Sequence, residues 1–339
     1  MTATRQLGRI ALRLSVTDRC PMRCLYCLPP EGVPLVAHAD VLRFEEMAAL
    51  VRVLRRHWGL AKVHLTGGEP LIRRGIADLV ARLAAERPAD LALTTCGVRL
   101  ASLAADLRRA GLWRVNVSLD SLDPETYRTL TRGGDLAETL DGIAAARRAG
   151  LEPVKLNMVV LRGVNDGEVV RVARWGLARG CPVRFLEVMP IHVAAARHGE
   201  WFVPSAEVRG RLAAAFDLVP LASRPGASAR EYRARDASGL AGRIGFISPC
   251  SEPFCAGCRR LRLTATGRLL GCLARADATD VRPFLKQLAA GDSHGAEGEA
   301  PLVAAVEEAL RRKRFAPGAA GPQAPRPFAD QCSMAGIGG

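Results

Sequence analysis

The chain has 339 residues, 49% hydrophobic and 24% charged, the balance of a globular protein with room for a large domain and a smaller companion. No apolar run approaches the ~18 residues a membrane span needs, and residues 1–10 lack the apolar core of an export signal, so a cytoplasmic protein is expected. The formal charge of +14 calls for an anionic partner, but arginine supplies all but Lys62, Lys155, Lys286 and Lys313 of the 48 basic residues, no dense basic run occurs and aromatics reach only 5%, so a phosphate-bearing small molecule is expected rather than nucleic acid.

In chain order, short β-branched or apolar runs at 12–17, 63–66, 91–95, 114–119, 154–160 and 183–188 predict strands, and amphipathic stretches near 44–58, 76–86, 100–110, 136–149 and 166–179 predict helices between them. Alternating strand and helix units predict an α/β fold with a parallel sheet and outer helices. Six units fall short of the eight of a closed barrel, which predicts a partial (β/α)6 barrel. Such folds collect their chemistry at the carboxyl ends of the strands, and the polar motifs lie there.

Arg13 stands between Leu12 and Leu14 in the first strand, where a buried guanidinium needs an anion, either a protein carboxylate or a substrate phosphate. The strand leads into Cys20, Cys24 and Cys27, a C-x3-C-x2-C spacing in one short loop. Three soft thiolates without a near fourth leave one coordination position open, unlike a closed structural zinc site. After the second strand comes Thr66-Gly67-Gly68-Glu69-Pro70, where paired glycines admit a close backbone approach and Glu69 can engage an ammonium. The third strand ends in Thr94-Thr95-Cys96-Gly97. The fourth carries Asn116, Ser118 and Asp120 at period two, the fifth Lys155 and Asn157, and the sixth ends in Glu187-Val188-Met189-Pro190. Polar residues on one face of apolar strands predict a lined lumen.

Beyond these units a helix is predicted within 199–217, a loop and domain boundary at 222–230, strands at 243–247 and 260–265, helices near 281–290 and 302–314, and loops at 291–300 and 316–327. The division expected is 1–225 and 226–339. A second cysteine group, Cys255-Ala256-Gly257-Cys258 and then Cys272, leaves zinc and iron–sulfur equally open on spacing alone, with Cys250 able to close the site as a fourth thiolate.

The C-x3-C-x2-C loop with Tyr26 before its last cysteine resembles that of the radical S-adenosylmethionine (SAM) enzymes. The surroundings of the second group, Phe254-Cys255 to Thr264 and Gly271-Cys272-Leu273, resemble one branch, the GTP 3′,8-cyclases of molybdenum cofactor biosynthesis. The likeness extends to the segments 12–18, 115–123, 154–157 and 161–166 and to the terminal Ile337-Gly338-Gly339. The resemblance implies a SAM-binding [4Fe–4S] cluster on Cys20, Cys24 and Cys27 and a substrate-binding [4Fe–4S] cluster on Cys255, Cys258 and Cys272. It implies cofactor contacts at Tyr26, Gly68, Ser118 and Met189, and nucleotide contacts at Arg13, His64, Thr95, Lys155, Arg260 and Arg262. It further implies a tail, Gly338 and Gly339, that reaches the active site.

The activity so implied is that of a lyase. A deoxyadenosyl radical takes the hydrogen from C3′ of GTP, and the carbon radical closes on C8 of guanine. The expected partners are GTP, a reductant and a downstream enzyme forming the cyclic pyranopterin, with a homodimer possible and no membrane or nucleic acid. His64 in place of the family's usual arginine, Cys96 and Arg259 in place of asparagines, and the extra Cys250 depart from the family pattern. Two other readings compete. One is a radical SAM enzyme with an auxiliary cluster that modifies a peptide or another nucleotide, which GTP-dependent deoxyadenosine formation would exclude. The other is a non-catalytic metal protein binding nucleic acid through its arginines, which the polar residues at successive strand ends oppose.

Overall fold

A computed structural model describes residues 10–223, 226–255, 257–273, 277–291 and 295–313. Its strands form one 12-stranded sheet in the order β12-β11-β10-β1-β2-β3-β4-β5-β6-β9-β8-β7. The central six, β1 (Ile10–Ser15), β2 (Leu60–Thr66), β3 (Leu91–Thr95), β4 (Arg114–Ser118), β5 (Lys155–Val160) and β6 (Val183–Glu187), are parallel and adjacent in chain order. Helices α1 (Phe44–Trp58), α2 (Ile76–Ala85), α3 (Leu100–Arg109), α4 (Pro124–Thr131), α5 (Leu136–Arg148) and α6 (Val169–Ala178) occupy the connections. This is the expected strand–helix alternation, with α4 as an additional helix that the sequence reading does not include. Leu12, Leu14, Val63, Leu65, Leu93, Val115, Val117 and Leu156 are all fully buried and belong to one hydrophobic core, so the apolar members of each strand face the helices and the polar members face the lumen.

The rest of the chain extends this sheet on both sides. After α7 (Val193–Trp201) and α8 (Ser205–Ala213), β7 (Asp217–Pro220), β8 (Arg230–Arg235) and β9 (Ala241–Ile247) form a meander, with β9 parallel to β6. The chain then crosses to the opposite flank, where β10 (Arg260–Leu263) lies parallel to β1, and β11 (Arg268–Leu270) and β12 (Ala278–Asp280) follow antiparallel. Helices α9 (Arg282–Ala290) and α10 (Ala296–Arg312) close the described part. The single helix expected within 199–217 is two helices parted at Phe202–Pro204. The loop expected at 291–300 is partly the first turn of α10, and the loop expected at 222–230 runs straight into β8. The loop expected at 316–327 lies outside the described residues, as do Gly338 and Gly339. Among the described residues no helix is long and apolar enough to cross a membrane.

Local chemistry fixes these boundaries. Asp123 accepts from the Thr126 N–H at 2.8 Å and Pro124 follows it, starting α4. Gly59, at φ 68, ends α1 in a conformation that suits glycine. Asn165 takes the Leu161 N–H at 2.7 Å and donates to the carbonyls of Asp120 and Val159, tying the exits of β4 and β5 together. Glu187 accepts from the backbones of Ser205, Cys250 and Ser251 and so pins the exit of β6.

Candidate active site

The loop after β1 brings Cys20, Cys24 and Cys27 together. The Cys27 N–H donates to the Cys24 carbonyl at 2.8 Å and Leu28 N–H to the same oxygen at 3.1 Å, a tight turn that C-x2-C favours. Leu25 N–H and Arg23 N–H bond the carbonyls of Leu130 and Thr131 at the end of α4, while Asp18 holds the Val36 N–H at 2.6 Å, so both sides of the loop are tethered. Burial raises the thiols of Cys20 and Cys27 to about 11 and about 12 and Cys24 well above its usual range, with Cys20, Cys27 and Asp120 adding to the effect on Cys24. Three mutually interacting, half-buried sulfurs suit a cluster that binds thiolates. Among the described residues no three His, Cys, Asp or Glu side chains converge on a single ion. A cubane takes one thiolate at each of several irons, so its ligands stand around a cavity rather than at one point.

The segment after β2 packs on this loop. Gly68 N–H donates to the Thr17 carbonyl and Glu69 N–H to the Arg19 carbonyl, both at 2.8 Å, and a Cβ at Gly68 would sit 2.1 Å from the Arg19 oxygen. The close approach that requires glycine is therefore between two protein backbones. Glu69, expected to meet an ammonium, instead accepts from Leu71 N–H at 2.9 Å, Thr95 Oγ1 at 2.8 Å and Cys96 N–H at 2.7 Å. Its carboxylate fixes the ends of β2 and β3 from a fully buried position, and burial raises its pKa. Tyr26 donates to Asp120 Oδ2 at 2.6 Å while Asp120 Oδ1 takes the Val159 N–H at 2.8 Å. Burial lifts the Asp120 carboxyl to about 6.

Deeper in the lumen lies a concentration of cations. Arg13 and Arg262 are register partners on β1 and β10, with Arg260 opposite Ala11, so all three share one face. Burial and mutual repulsion lower Arg13 to about 10 and Arg262 well below its ordinary value. His64 is the partner of Arg13 on the other side. Its Nε2 lies 2.5 Å from Thr94 Oγ1, and burial with Lys62, Arg13, Arg114 and Arg184 keeps it neutral by lowering its pKa. Burial, Arg184 and Arg114 bring Lys155 down to about 8. Burial and Arg114 bring Lys62 to about 7, although its side chain keeps 29% exposure and a 3.9 Å contact with Asp90. Such crowding of like charge is the signature of an anion site.

Thr95, assigned to the nucleotide by resemblance, turns away from this group and bonds Glu69. Period two puts its neighbour Thr94 in the lumen, between His64 and Asn116. Ser118 and Asn157 are register partners further along the same face, and Asn157 Oδ1 is buried without a partner, open to a ligand. Met189 packs beside Ile191, Leu270 and Leu273. Lys62, Arg114 and Arg184 also line this face, Arg114 paired with Asp90 at 2.6 Å and Arg184 with Glu231 at 3.4 Å, and the sequence reading marks none of the three. Arg184 carries the signal that marks Arg13, a charge flanked by Val183 and Phe185, whereas Lys62 precedes the strand expected at 63–66.

At the other side of Arg262 stands the second cysteine group. Cys258 N–H bonds the Cys255 carbonyl at 3.1 Å, and Cys258 and Cys272 both act on the Cys255 thiol. Burial opposes ionisation of Cys258, but Arg260 and Lys313 prevail and lower it to about 7. Arg260 also stacks on Phe254 with 4.7 Å to the ring centroid. Cys250 lies elsewhere. Its sulfur is 3.6 Å from the Val188 carbonyl and 4.0 Å from His198 Nε2, held there because Glu187 takes the Cys250 N–H. The fourth-thiolate arrangement is thus not formed. Arg259 points to solvent, and only its carbonyl is used, by Ala11 N–H.

Residues 14–176 match the Radical SAM superfamily model and residues 181–316 the model Molybdenum Cofactor Synthesis C. The chain is 46% identical over 308 residues to a GTP 3′,8-cyclase of Geobacter sulfurreducens, covering 89% of this chain and 87% of that protein. It is 45% identical over 280 residues to a GTP 3′,8-cyclase of Moorella thermoacetica, covering 81% and 84%. In fold it resembles the crystal structure of Streptococcus suis SuiB bound to S-adenosylmethionine, with TM-score 0.60 and 13% identity, over 83% of this chain and 65% of that one. It thus spans just under two thirds of that structure. With more than four fifths of its length aligned to each of these curated relatives, the chain belongs to the GTP 3′,8-cyclase family of radical SAM proteins.

Proposed function

We propose that this chain converts GTP to (8S)-3′,8-cyclo-7,8-dihydroguanosine 5′-triphosphate, the first step of molybdenum cofactor biosynthesis. The observation that carries the reading is the lumen between two cysteine groups, filled with Arg13, Lys155, Arg184, Arg260 and Arg262 on adjoining strands. A triphosphate is the anion that such a set fits, since bidentate guanidinium contacts match phosphate oxygens. We assign residues 1–225 to the SAM barrel and 226–339 to the second-cluster part.

In this scheme Cys20, Cys24 and Cys27 would hold the cluster that binds SAM, and Cys255, Cys258 and Cys272 the cluster that meets guanine. Bound together, the first cluster and SAM supply a 5′-deoxyadenosyl radical, which suits removal of the unactivated hydrogen at C3′. The protein's part is placement. Arg13, Arg260 and Arg262 hold the triphosphate from one wall and Lys155 and Arg184 from the other, fixing the ribose between the two cysteine groups. Thr94, beside His64, and Asn157 offer hydrogen bonds to the nucleotide, and Tyr26, Gly68, Ser118 and Met189 frame the cofactor side. An external reductant feeds the first cluster, and a pyranopterin-forming enzyme takes the product. The cytoplasm is the proposed setting, since nine free cysteines among the described residues suit a reducing compartment.

The test is anaerobic incubation of reduced, cluster-loaded protein with SAM and GTP deuterated at C3′. Deuterium in the released 5′-deoxyadenosine is the expected result. Deoxyadenosine without deuterium would assign the chemistry to another substrate.

A further inference from the structure

Lys313 caps the C-terminal end of α10, and its ammonium has an unusual destination. It donates to the backbone carbonyls of Arg260 and Gly271 and to the sulfur of Cys258, and its charge also acts on Cys272. Arg260 is two residues past Cys258, and Gly271 directly precedes Cys272. One side chain therefore bridges the two segments that carry these cysteines. Its base is fixed as well. A Cβ at Gly271 would lie 2.3 Å from the Ala309 carbonyl, so the last turns of α10 press against that strand end. At the far end of α10, Glu299 binds Arg56 at 2.5 Å and His57 at 2.8 Å on α1.

We propose that Lys313 is a positioning residue for the second iron–sulfur centre, tying the Cys258 strand to the Cys272 turn and setting a positive charge against their sulfurs. The inference rests on the reading that Cys255, Cys258 and Cys272 hold such a centre. Hydrogen bonds to the sulfurs and net charge are the protein's levers on a cluster's potential. A nearby cation stabilises the reduced, more negative form and raises that potential. Lys313 also reports the docking of α10 to the site, because it cannot reach both carbonyls unless the helix is seated.

The experiment uses full-length protein reconstituted anaerobically with Cys20, Cys24 and Cys27 replaced by alanine, so that electron paramagnetic resonance reads the second centre alone. Potential, signal shape and iron retained after gel filtration are compared for this protein and for Lys313→Met, Lys313→Gln, Lys313→Arg and, as control, the exposed Lys286→Met. Lys313→Met is expected to lower the midpoint by about 59 mV, a tenfold tilt toward the oxidised state for one electron, and to retain less iron. Lys313→Gln, which keeps a donor for the carbonyls, retains iron but shows the lowered potential, and Lys313→Arg restores both. An unchanged potential in Lys313→Met and Lys313→Gln overturns the proposal, as does a loss that Lys313→Arg fails to rescue. If the parent protein itself shows no iron–sulfur signal, the reading of the second group as a cluster site fails instead.

Discussion

The two cysteine groups have the same number of thiols and opposite surroundings. Around Cys20, Cys24 and Cys27 the carboxylates Glu69 and Asp120 act on the thiols, and the half-buried loop is tethered on both sides, with the Arg132 guanidinium on the Leu28 carbonyl. Around Cys255, Cys258 and Cys272 they are the cations Arg260 and Lys313, and Cys255 is exposed. An anionic shell disfavours adding an electron, whereas a cationic shell favours it. The carboxylates beside the first group favour a more reducing centre, and Arg260 and Lys313 beside the second favour one that accepts an electron more readily.

The largest expected effects separate the two groups by function. Cys24→Ala should abolish deoxyadenosine formation altogether. Cys258→Ala should leave the SAM-cleaving centre loaded while cyclised nucleotide disappears, both being read by mass spectrometry. Equal loss of deoxyadenosine in the two variants would show that the groups do not divide the work. Next in size is the anion site between them. Arg262→Ala removes a charge-assisted contact of about 1.5–3 kcal/mol, which should weaken GTP binding roughly 10- to 150-fold by anaerobic calorimetry. Unchanged affinity would remove Arg262 from the site.

A smaller effect tests the lumen's electrostatics through pH. Lys62 and Lys155 sit at about 7 and about 8 in the fold, below lysine's ordinary 10.5. Between those values and 10.5 the unfolded chain holds more protons than the folded one, so these two groups make stability rise with pH across that window. In metal-free protein the raised thiols of Cys20, Cys24 and Cys27 act in the opposite sense, so the lysine contribution is read by difference: the change in melting temperature from pH 7 to pH 9 should be less positive in Lys62→Met than in the parent, and inorganic tripolyphosphate should likewise make it less positive by favouring the protonated lysines. An identical change in the parent and in Lys62→Met would contradict this. Tyr26→Phe should cost about 1–3 kcal/mol in urea unfolding, the penalty for leaving Oδ2 of the buried Asp120 without its donor while Oδ1 keeps the Val159 N–H. Smallest of all, Cys250→Ser should leave iron content unchanged, because its sulfur bonds Val188 rather than the second group. Loss of iron there would restore the closed-site reading.

What was legible in the sequence was local. The C-x3-C-x2-C loop and the six strand–helix units depend on residues a few positions apart. Helix α4 carries a local mark that the sequence reading passes over, Asp123 before Pro124, whereas other missed elements lack one. Strand β8 reads Arg-Glu-Tyr-Arg-Ala-Arg, charged because most of it is exposed or half-buried, and α7 contains Gly199, a residue that weakens a helix reading. The cation site was half legible. Arg13 stood out because its apolar neighbours are adjacent, but the meeting of Arg13 with Arg262 depends on a pairing across most of the chain. The choice between Thr94 and Thr95 depends on a one-residue register that spacing leaves open. Cys250 lies near the second group in sequence and apart from it in space because Glu187, from β6, holds its backbone.

The pairing of β1 with β10 also sets a clock. Ala11 waits for Arg260, roughly 250 residues later, and at synthesis rates of 5–20 residues per second that is on the order of 12–50 s. For that interval one edge of the first strand is an open row of backbone donors and acceptors, next to the loop that must take up iron. Contacts so distant in sequence form slowly. A chain truncated before β10 should keep this edge exposed and be prone to edge-to-edge association.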